Sequence, residues 1–151
     1  MKNKSGLPGF VILVIVGIVL ITAFRWLRPA PTHPVPAAFA NAMTLQQTIE
    51  ASTKDGRPVL AFVTADWCGP CQAFKAGTLS DPAITQLLTS ATHPVLIDVT
   101  KDNPEAASLK IFSIPAMLLL KDGREVARLE GVASADKLRS WLQAATAPAQ
   151  R

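Results

Sequence analysis

The only two cysteines of the chain stand three positions apart, shortly after an apolar run. That run, Val59–Thr64, is partly β-branched and predicts a buried strand. Cys68 and Cys71 follow it within Trp67–Cys71, and their spacing puts both sulfurs on the first turn of a helix. There the sulfurs can bridge after small side-chain rotations. The chain must therefore fold with a strand leading into a helix that carries a dithiol able to open and close.

The two positions on this helix predict different roles for the two sulfurs. If Cys68 opens the helix, the unpaired backbone N–H groups and the helix dipole favour its thiolate, which makes Cys68 the nucleophile. Cys71 is placed to attack the resulting mixed disulfide and is the resolving thiol. The alternatives are a static structural disulfide and half of a zinc site, but zinc needs four ligands and there is no second cysteine pair.

Two histidines are the remaining candidates for metal ligands. His33 and His93 each lie beside a proline and far from the cysteines in sequence. This placement favours solvated loop histidines over ligands. We therefore expect no metal and no bound cofactor.

The amino-terminal region carries an uncharged stretch from Ser5 to Phe24. About 20 helical residues span roughly 30 Å, enough to cross a bilayer. The prediction is an N-terminal transmembrane signal anchor over residues 1–28, single-pass in the inner (plasma) membrane, with the rest of the chain extracytoplasmic, in the periplasm. A cleaved signal peptide is the competing interpretation, because Ala38–Ala40 has the small-x-small form of a cleavage site. The basic residues that flank the apolar stretch are Lys2, Lys4, Arg25 and Arg28.

Residues 29–40 are rich in proline and predict an extended linker, followed by one domain over residues 41–151. The formal net charge of +4 comes from the four basic residues around the apolar stretch, because acids and bases are equal in number from Asn41 onward. Without a basic patch on the domain, nucleic acid is not an expected partner.

Helices and strands alternate along the predicted domain and end in a hairpin and a last helix, which indicates a central mixed sheet flanked by helices. The predicted elements are a helix from the Thr44–Gln47 capping box to about Ser52, the strand Val59–Thr64, the cysteine helix, a helix capped by Asp81, the strand Val95–Val99, a short helix from Asn103–Pro104, the strand Ala116–Leu120, a turn at Lys121–Arg124, the strand Glu125–Glu130, and a helix capped by Ser134.

This order, with Trp67–Cys71 after the first clear strand and Ser113–Pro115 before the hairpin, resembles the thioredoxin family. The resemblance runs from about Leu45 to Leu142. It implies an α/β thioredoxin fold and a thiol:disulfide oxidoreductase.

A second resemblance concerns Ala65–Cys68 together with Ser80–Pro82. These segments are similar to the periplasmic C-terminal domain of transmembrane thiol:disulfide interchange proteins. Gly69 and Pro70 between the cysteines are similar to those of reducing thioredoxins. The implied function is reduction of protein disulfides, with a membrane electron donor as a further partner. The alternatives are a disulfide oxidase or isomerase, and a tethered module that holds client chains in the groove at Pro115.

The resemblance also implies a substrate groove. The Ile114–Pro115 bond should be cis and face the cysteines, with the backbone of Ile114 pairing with an extended substrate segment; an ordinary trans proline is the alternative. Trp67 and Gly131 should shape an apolar groove, unless Trp67 only packs in the core. The expected substrate-binding residues are Trp67, Gly69, Pro70, Ile114, Pro115 and Gly131.

One position departs from the family pattern. Thioredoxins usually have a buried aspartate six residues before the first cysteine, and this chain has Phe62 there. The resemblance implies that the buried acid helps to deprotonate the resolving thiol. Cys71 must then rely on water, on Asp66, or on electrostatic help from Lys75.

Overall fold

The computed structural model describes residues 9–27, 32–100 and 103–147. The chain divides into two compact units, Met1–Ala30 and Pro31–Arg151. In the first unit helix α1 covers Gly9–Leu27, with exposed apolar side chains such as Phe10 and Leu13. Within the described ranges, no helix reaches the length and apolarity that a membrane crossing requires. The flanking Lys2, Lys4 and Arg28 of the predicted anchor lie outside the described residues.

The elements of the second unit are α2 (Leu45–Asp55), β1 (Val59–Thr64), α3 (Gly69–Ala76), α4 (Pro82–Ala91), β2 (His93–Asp98), α5 (Pro104–Ser108), β3 (Ala116–Lys121), β4 (Arg124–Glu130) and α6 (Ala135–Thr146). The strands form a four-stranded mixed sheet in the order β2–β1–β3–β4, which confirms the predicted central sheet. β1 pairs in parallel with β2 and antiparallel with β3, and β3 pairs antiparallel with β4.

Helices cover both faces of the sheet, which explains why every residue of β1 is buried. Because side chains alternate along a strand, Leu60 and Phe62 belong to the core under α3, α4 and α6. Ala61 and Val63 belong to the opposite core, under α2 and α5. β1 therefore ends, fully enclosed, at the point where the cysteine motif begins.

The helix starts follow the predicted capping chemistry. Thr44 and Gln47 form a complete capping box on α2. The Asp81 carboxylate accepts hydrogen bonds from the first turn of α4, and the Ser134 hydroxyl caps α6. These side chains satisfy backbone N–H groups that a helix leaves unpaired, so the sequence locates each start to within a residue.

β2 begins at His93, two residues earlier than the predicted start at Val95. The second residue of β2 is Pro94, and a sheet tolerates proline only at an edge, at a strand start or at a bulge. In the structure β2 lies at the edge of the sheet and pairs only with β1, so the missing N–H of Pro94 interrupts no ladder on its open side. The His93 N–H donates to the Pro58 carbonyl at 2.8 Å and starts the pairing.

The segment predicted as a linker contributes to the core of the second unit. A short 3-10 turn covers Ala37–Phe39, and Pro36, Ala38 and Phe39 are buried. The ring of Phe39 packs against that of Phe62 on the α4 side of the sheet. The packed domain therefore begins before Asn41, because an apolar side chain upstream of it completes the core.

Candidate active site

Cys68 and Cys71 form a disulfide with an S–S distance of 2.01 Å and a Cα–Cα distance of 5.2 Å. Cys68 is the N-cap residue of α3, and its Sγ accepts a hydrogen bond from the Cys71 N–H at 3.2 Å. Pro70 occupies the first turn, where its missing N–H has no partner to lose. The structure thus confirms that the dithiol pair opens a helix.

The two sulfurs differ in accessibility and in electrostatic surroundings. Cys68 is 5% exposed and Cys71 is fully buried. On reduction, a thiolate at Cys68 would lie at the positive end of the α3 dipole and next to a backbone N–H donor. This arrangement suits Cys68 for attack on an external disulfide and Cys71 for attack from inside.

Two loops bring the predicted groove residues to the cysteines. Ile114 packs against the buried cluster that contains Cys68 and Cys71. The Ile114–Pro115 bond is cis, as the resemblance implies. The Gly131 N–H donates to the Pro115 carbonyl at 2.8 Å, and Gly131 has a φ of 78°, in the left-handed region that favours glycine. The end of β4 is thereby fastened to the loop that faces the disulfide.

Apolar side chains on the loops around the disulfide are open to solvent. Trp67 is 66% exposed, so it is not a core residue. Phe112, two positions before Ile114, is 88% exposed, and Val132 is exposed as well. The sequence analysis missed Phe112. Its position directly before Ser113–Pro115, outside any predicted strand, could have indicated an exposed aromatic side chain.

Arg128 on β4 holds the loop that leads to Phe112. Its guanidinium donates to the carbonyls of Leu109 and Lys110 at 2.9 and 3.2 Å. It also donates to both carboxylate oxygens of Glu125 at 2.8 and 2.7 Å. This ion pair raises the pKa of Arg128 and lowers the pKa of Glu125, so both groups stay charged. No local sequence pattern indicates this long-range contact.

Gln72, next to Cys71, is a second residue that the sequence analysis missed. It is 4% exposed, and its amide oxygen accepts a hydrogen bond from the His33 N–H at 2.7 Å. Its amide nitrogen donates to the carbonyls of Ala65 and Asp66 at 3.0 and 3.2 Å. The backbone of His33, far from the cysteines in sequence, therefore lies beside the active-site helix.

The surroundings of Phe62 are aromatic. Its ring lies 5.4 Å from that of Phe39 and 5.9 Å from that of Phe74, measured between centroids. Asp66 is exposed, whereas Lys75 is buried. The proton or electrostatic roles suggested for Asp66 and Lys75 remain predictions.

The fold is a mixed sheet between two layers of helices. The site is a Cys-x-x-Cys disulfide at the start of the helix after β1, with a cis-proline loop beside it. Together they define the thioredoxin class of protein. Residues 45–146 match the thioredoxin-like domain family, and the chain belongs to that family.

Thiol:disulfide interchange proteins and thioredoxins are among the known proteins similar to this chain. The thiol:disulfide interchange protein DsbD of Pectobacterium atrosepticum is 28% identical over 94% of this chain, which spans only 27% of that protein. Thioredoxin C-2 of Corynebacterium nephridii is 33% identical over 66% of this chain and 90% of its own length. The oxidised C-terminal domain of DsbD from Neisseria meningitidis superposes with a TM-score of 0.59 at 28% identity, over 70% of this chain and 97% of that domain.

Proposed function

We propose that this chain reduces protein disulfides by dithiol–disulfide exchange through Cys68 and Cys71. The observation that carries the proposal is the position of Cys68 Sγ at the N-cap of α3, beside a backbone N–H and more accessible than Cys71. The Cys68 thiolate attacks one sulfur of the substrate disulfide and displaces the other as a thiolate. The Cys71 thiolate then attacks Cys68 Sγ, releases the second substrate thiol and leaves the Cys68–Cys71 disulfide.

Substrate binding is proposed to use the loops around the disulfide. The backbone of Ile114 pairs with an extended segment of the client, as in β-strand addition. Trp67, Phe112 and Val132 offer exposed apolar surface to the residues that flank the client cysteine. Gly69, Pro70, Pro115 and Gly131 shape the floor of this groove.

The amino-terminal segment is proposed to hold the domain at the periplasmic face of the inner membrane, uncleaved. Support comes from the uncharged stretch Ser5 to Phe24 and from the similarity to DsbD over 94% of the chain. Cleavage after Ala40 would remove Phe39 from the core, which favours retention of the segment. A membrane electron donor then re-reduces the disulfide, because NADPH is absent outside the cytoplasm. Retention of the uncut 16.1 kDa chain in membranes after alkaline carbonate washing tests the anchor.

The redox function is tested by the reduction potential of the Cys68–Cys71 pair in the full-length chain in mild detergent, equilibrated against dithiothreitol or glutathione buffers. A potential near that of thioredoxin, about −270 mV, supports a reductant. A potential near that of a strong oxidase, about −120 mV, would overturn the proposal in favour of disulfide formation. If the protein keeps its full biological activity in a Cys68→Ser, Cys71→Ser double variant, that activity does not need the thiols, and the protein is a client-binding module instead.

A further inference from the structure

We infer that Gln72 is a positioning residue that couples residues 32–40, here termed the docked segment, to the turn carrying Cys68. Docking of this segment then shifts the equilibrium between the dithiol and the disulfide. The inference rests on the proposed redox function of Cys68 and Cys71. Its basis is a continuous path of hydrogen bonds from His33 through Gln72 to the residues just before the motif.

The oxygen and the nitrogen of the Gln72 side-chain amide both form hydrogen bonds. Its oxygen faces the His33 N–H, whereas its nitrogen faces the carbonyls of Ala65 and Asp66. A flipped amide would place donor against donor and acceptor against acceptors, so the surroundings fix its orientation. Since the side chain is 4% exposed, water cannot readily replace these partners.

The carbonyls that Gln72 holds belong to the turn that positions Cys68. The Ala65 carbonyl also accepts the Cys68 N–H at 3.2 Å, and the Gln72 N–H donates to the Cys68 carbonyl at 3.0 Å. On the other side of the turn, the Asp66 N–H donates to Thr100 Oγ1 at 2.8 Å. Gln72 therefore closes a ring of contacts around Cys68 from a position adjacent to Cys71.

The docked segment has its own attachment to the domain. Ala38 and Phe39 are buried in the core formed with α4 and α6. Directly after the segment, the Asn41 side chain donates to the Pro94 carbonyl at 2.6 Å. With Phe39 fixed, the backbone of His33 reaches Gln72. The contact that matters is a backbone N–H, so the identity of the His33 side chain is not required for it.

A looser turn lowers the effective concentration of one thiol at the other and so disfavours closure of the disulfide. His33→Pro removes the N–H donor together with the imidazole, in a segment that already contains Pro34 and Pro36. His33→Ala keeps the N–H and is the matched control. Gln72→Ala removes the hydrogen bonds to His33 and to the turn. Gln72→Glu keeps the acceptor for His33 but cannot donate to the turn.

The equilibrium constant for disulfide closure is measured against dithiothreitol with full-length variants in detergent, with thermal unfolding recorded in parallel. His33→Pro, Gln72→Ala and Gln72→Glu should lower this constant about three- to tenfold, the effect of a single neutral hydrogen bond, while His33→Ala leaves it unchanged. Equal disulfide-closure constants for His33→Pro and His33→Ala would overturn the coupling. Because His33 is exposed, these two variants decide the question even if the Gln72 variants fail to fold. If the wild-type reduction potential is that of an oxidase and His33→Pro still lowers the closure constant, the coupling is supported and the reductant function is contradicted.

Discussion

The rings of Phe39 and Phe62 lie 5.4 Å apart between centroids and join the segment upstream of α2 to β1, an interior strand of the sheet. By resemblance to thioredoxins, the position of Phe62 is that of a buried aspartate. An aromatic cluster, completed by Phe74, occupies this place instead. The upstream segment therefore packs against the position at which the family pattern changes.

Phe39→Ala should destabilise the domain strongly, because it leaves a cavity beside Phe62 and Phe74. The expected loss in the free energy of unfolding is about 3–5 kcal/mol, measured by urea denaturation. Phe112→Ala is the matched control, since it truncates an exposed ring and should change stability by less than about 0.5 kcal/mol. Equal stabilities of Phe39→Ala and wild type would contradict the packing described.

Phe112→Ala should weaken the reduction of protein disulfides while the domain stays folded. The lost apolar contact should lower kcat/KM for a protein substrate about fivefold, equivalent to roughly 1 kcal/mol. The rate with a small disulfide, which has no flanking residues to contact the ring, should not change. Val126→Ala removes another exposed apolar side chain, on the middle of β4, and serves as the control. An equal loss with both substrates would argue against client binding at Phe112.

Cys71→Ser should trap clients, whereas Cys68→Ser should not. Without the resolving thiol, the mixed disulfide between Cys68 and the client persists because nothing attacks Cys68 Sγ from inside. Non-reducing electrophoresis with mass spectrometry should show adducts that dithiothreitol releases. Trapping through Cys71 in the Cys68→Ser variant would reverse the assigned roles, against the full burial of Cys71.

Thr64→Val should stabilise the protein. Thr64 Oγ1 is the one buried side-chain oxygen or nitrogen in the described part of the chain that has no hydrogen-bond partner. Removing an unsatisfied hydroxyl should raise the free energy of unfolding by about 1 kcal/mol. Thr92→Val is the matched control, because Thr92 is also buried but its hydroxyl donates to the Leu88 carbonyl at 2.7 Å. That variant should lose stability, and a loss of the same size in both would show that Thr64 has a partner.

Asp55→Asn should reduce stability at neutral pH and much less in acid. Hydrogen bonds from His93 and then from Arg57 hold the pKa of Asp55 below its ordinary value. The charged carboxylate therefore stabilises the fold above the unfolded-state pKa of about 3.9, and this contribution is lost as the pH falls toward the folded-state pKa.

The check on Asp55 is urea denaturation between pH 7 and pH 2. The difference between wild type and Asp55→Asn should shrink as the pH falls below about 4, where the wild type takes up about one proton more on unfolding. Asp136→Asn, at a carboxylate that is 93% exposed, should show little difference at any pH. A wild-type to Asp55→Asn difference that stays flat into acid would rule out the depressed pKa.

Local sequence determined the elements and the chemistry of the motif. Helix capping and strand formation depend on interactions over a few residues, so they can be predicted without tertiary context. Examples are the caps Thr44, Asp81 and Ser134 and the apolar run Val59–Thr64. The same holds for Cys68 and Cys71, whose spacing alone places both sulfurs on one helical turn.

Tertiary structure decided which distant groups complete the site. Nothing local indicates that Phe39 enters the core, that Arg128 holds the loop before Phe112, or that Gln72 meets the backbone of His33, 39 positions away. Likewise, β2 begins two residues before the predicted Val95, because the open edge that tolerates Pro94 exists only in the assembled sheet. The physical reason is that burial and long-range hydrogen bonding depend on which surfaces the packed helices leave free. Sequence periodicity reports only which residues can share a face.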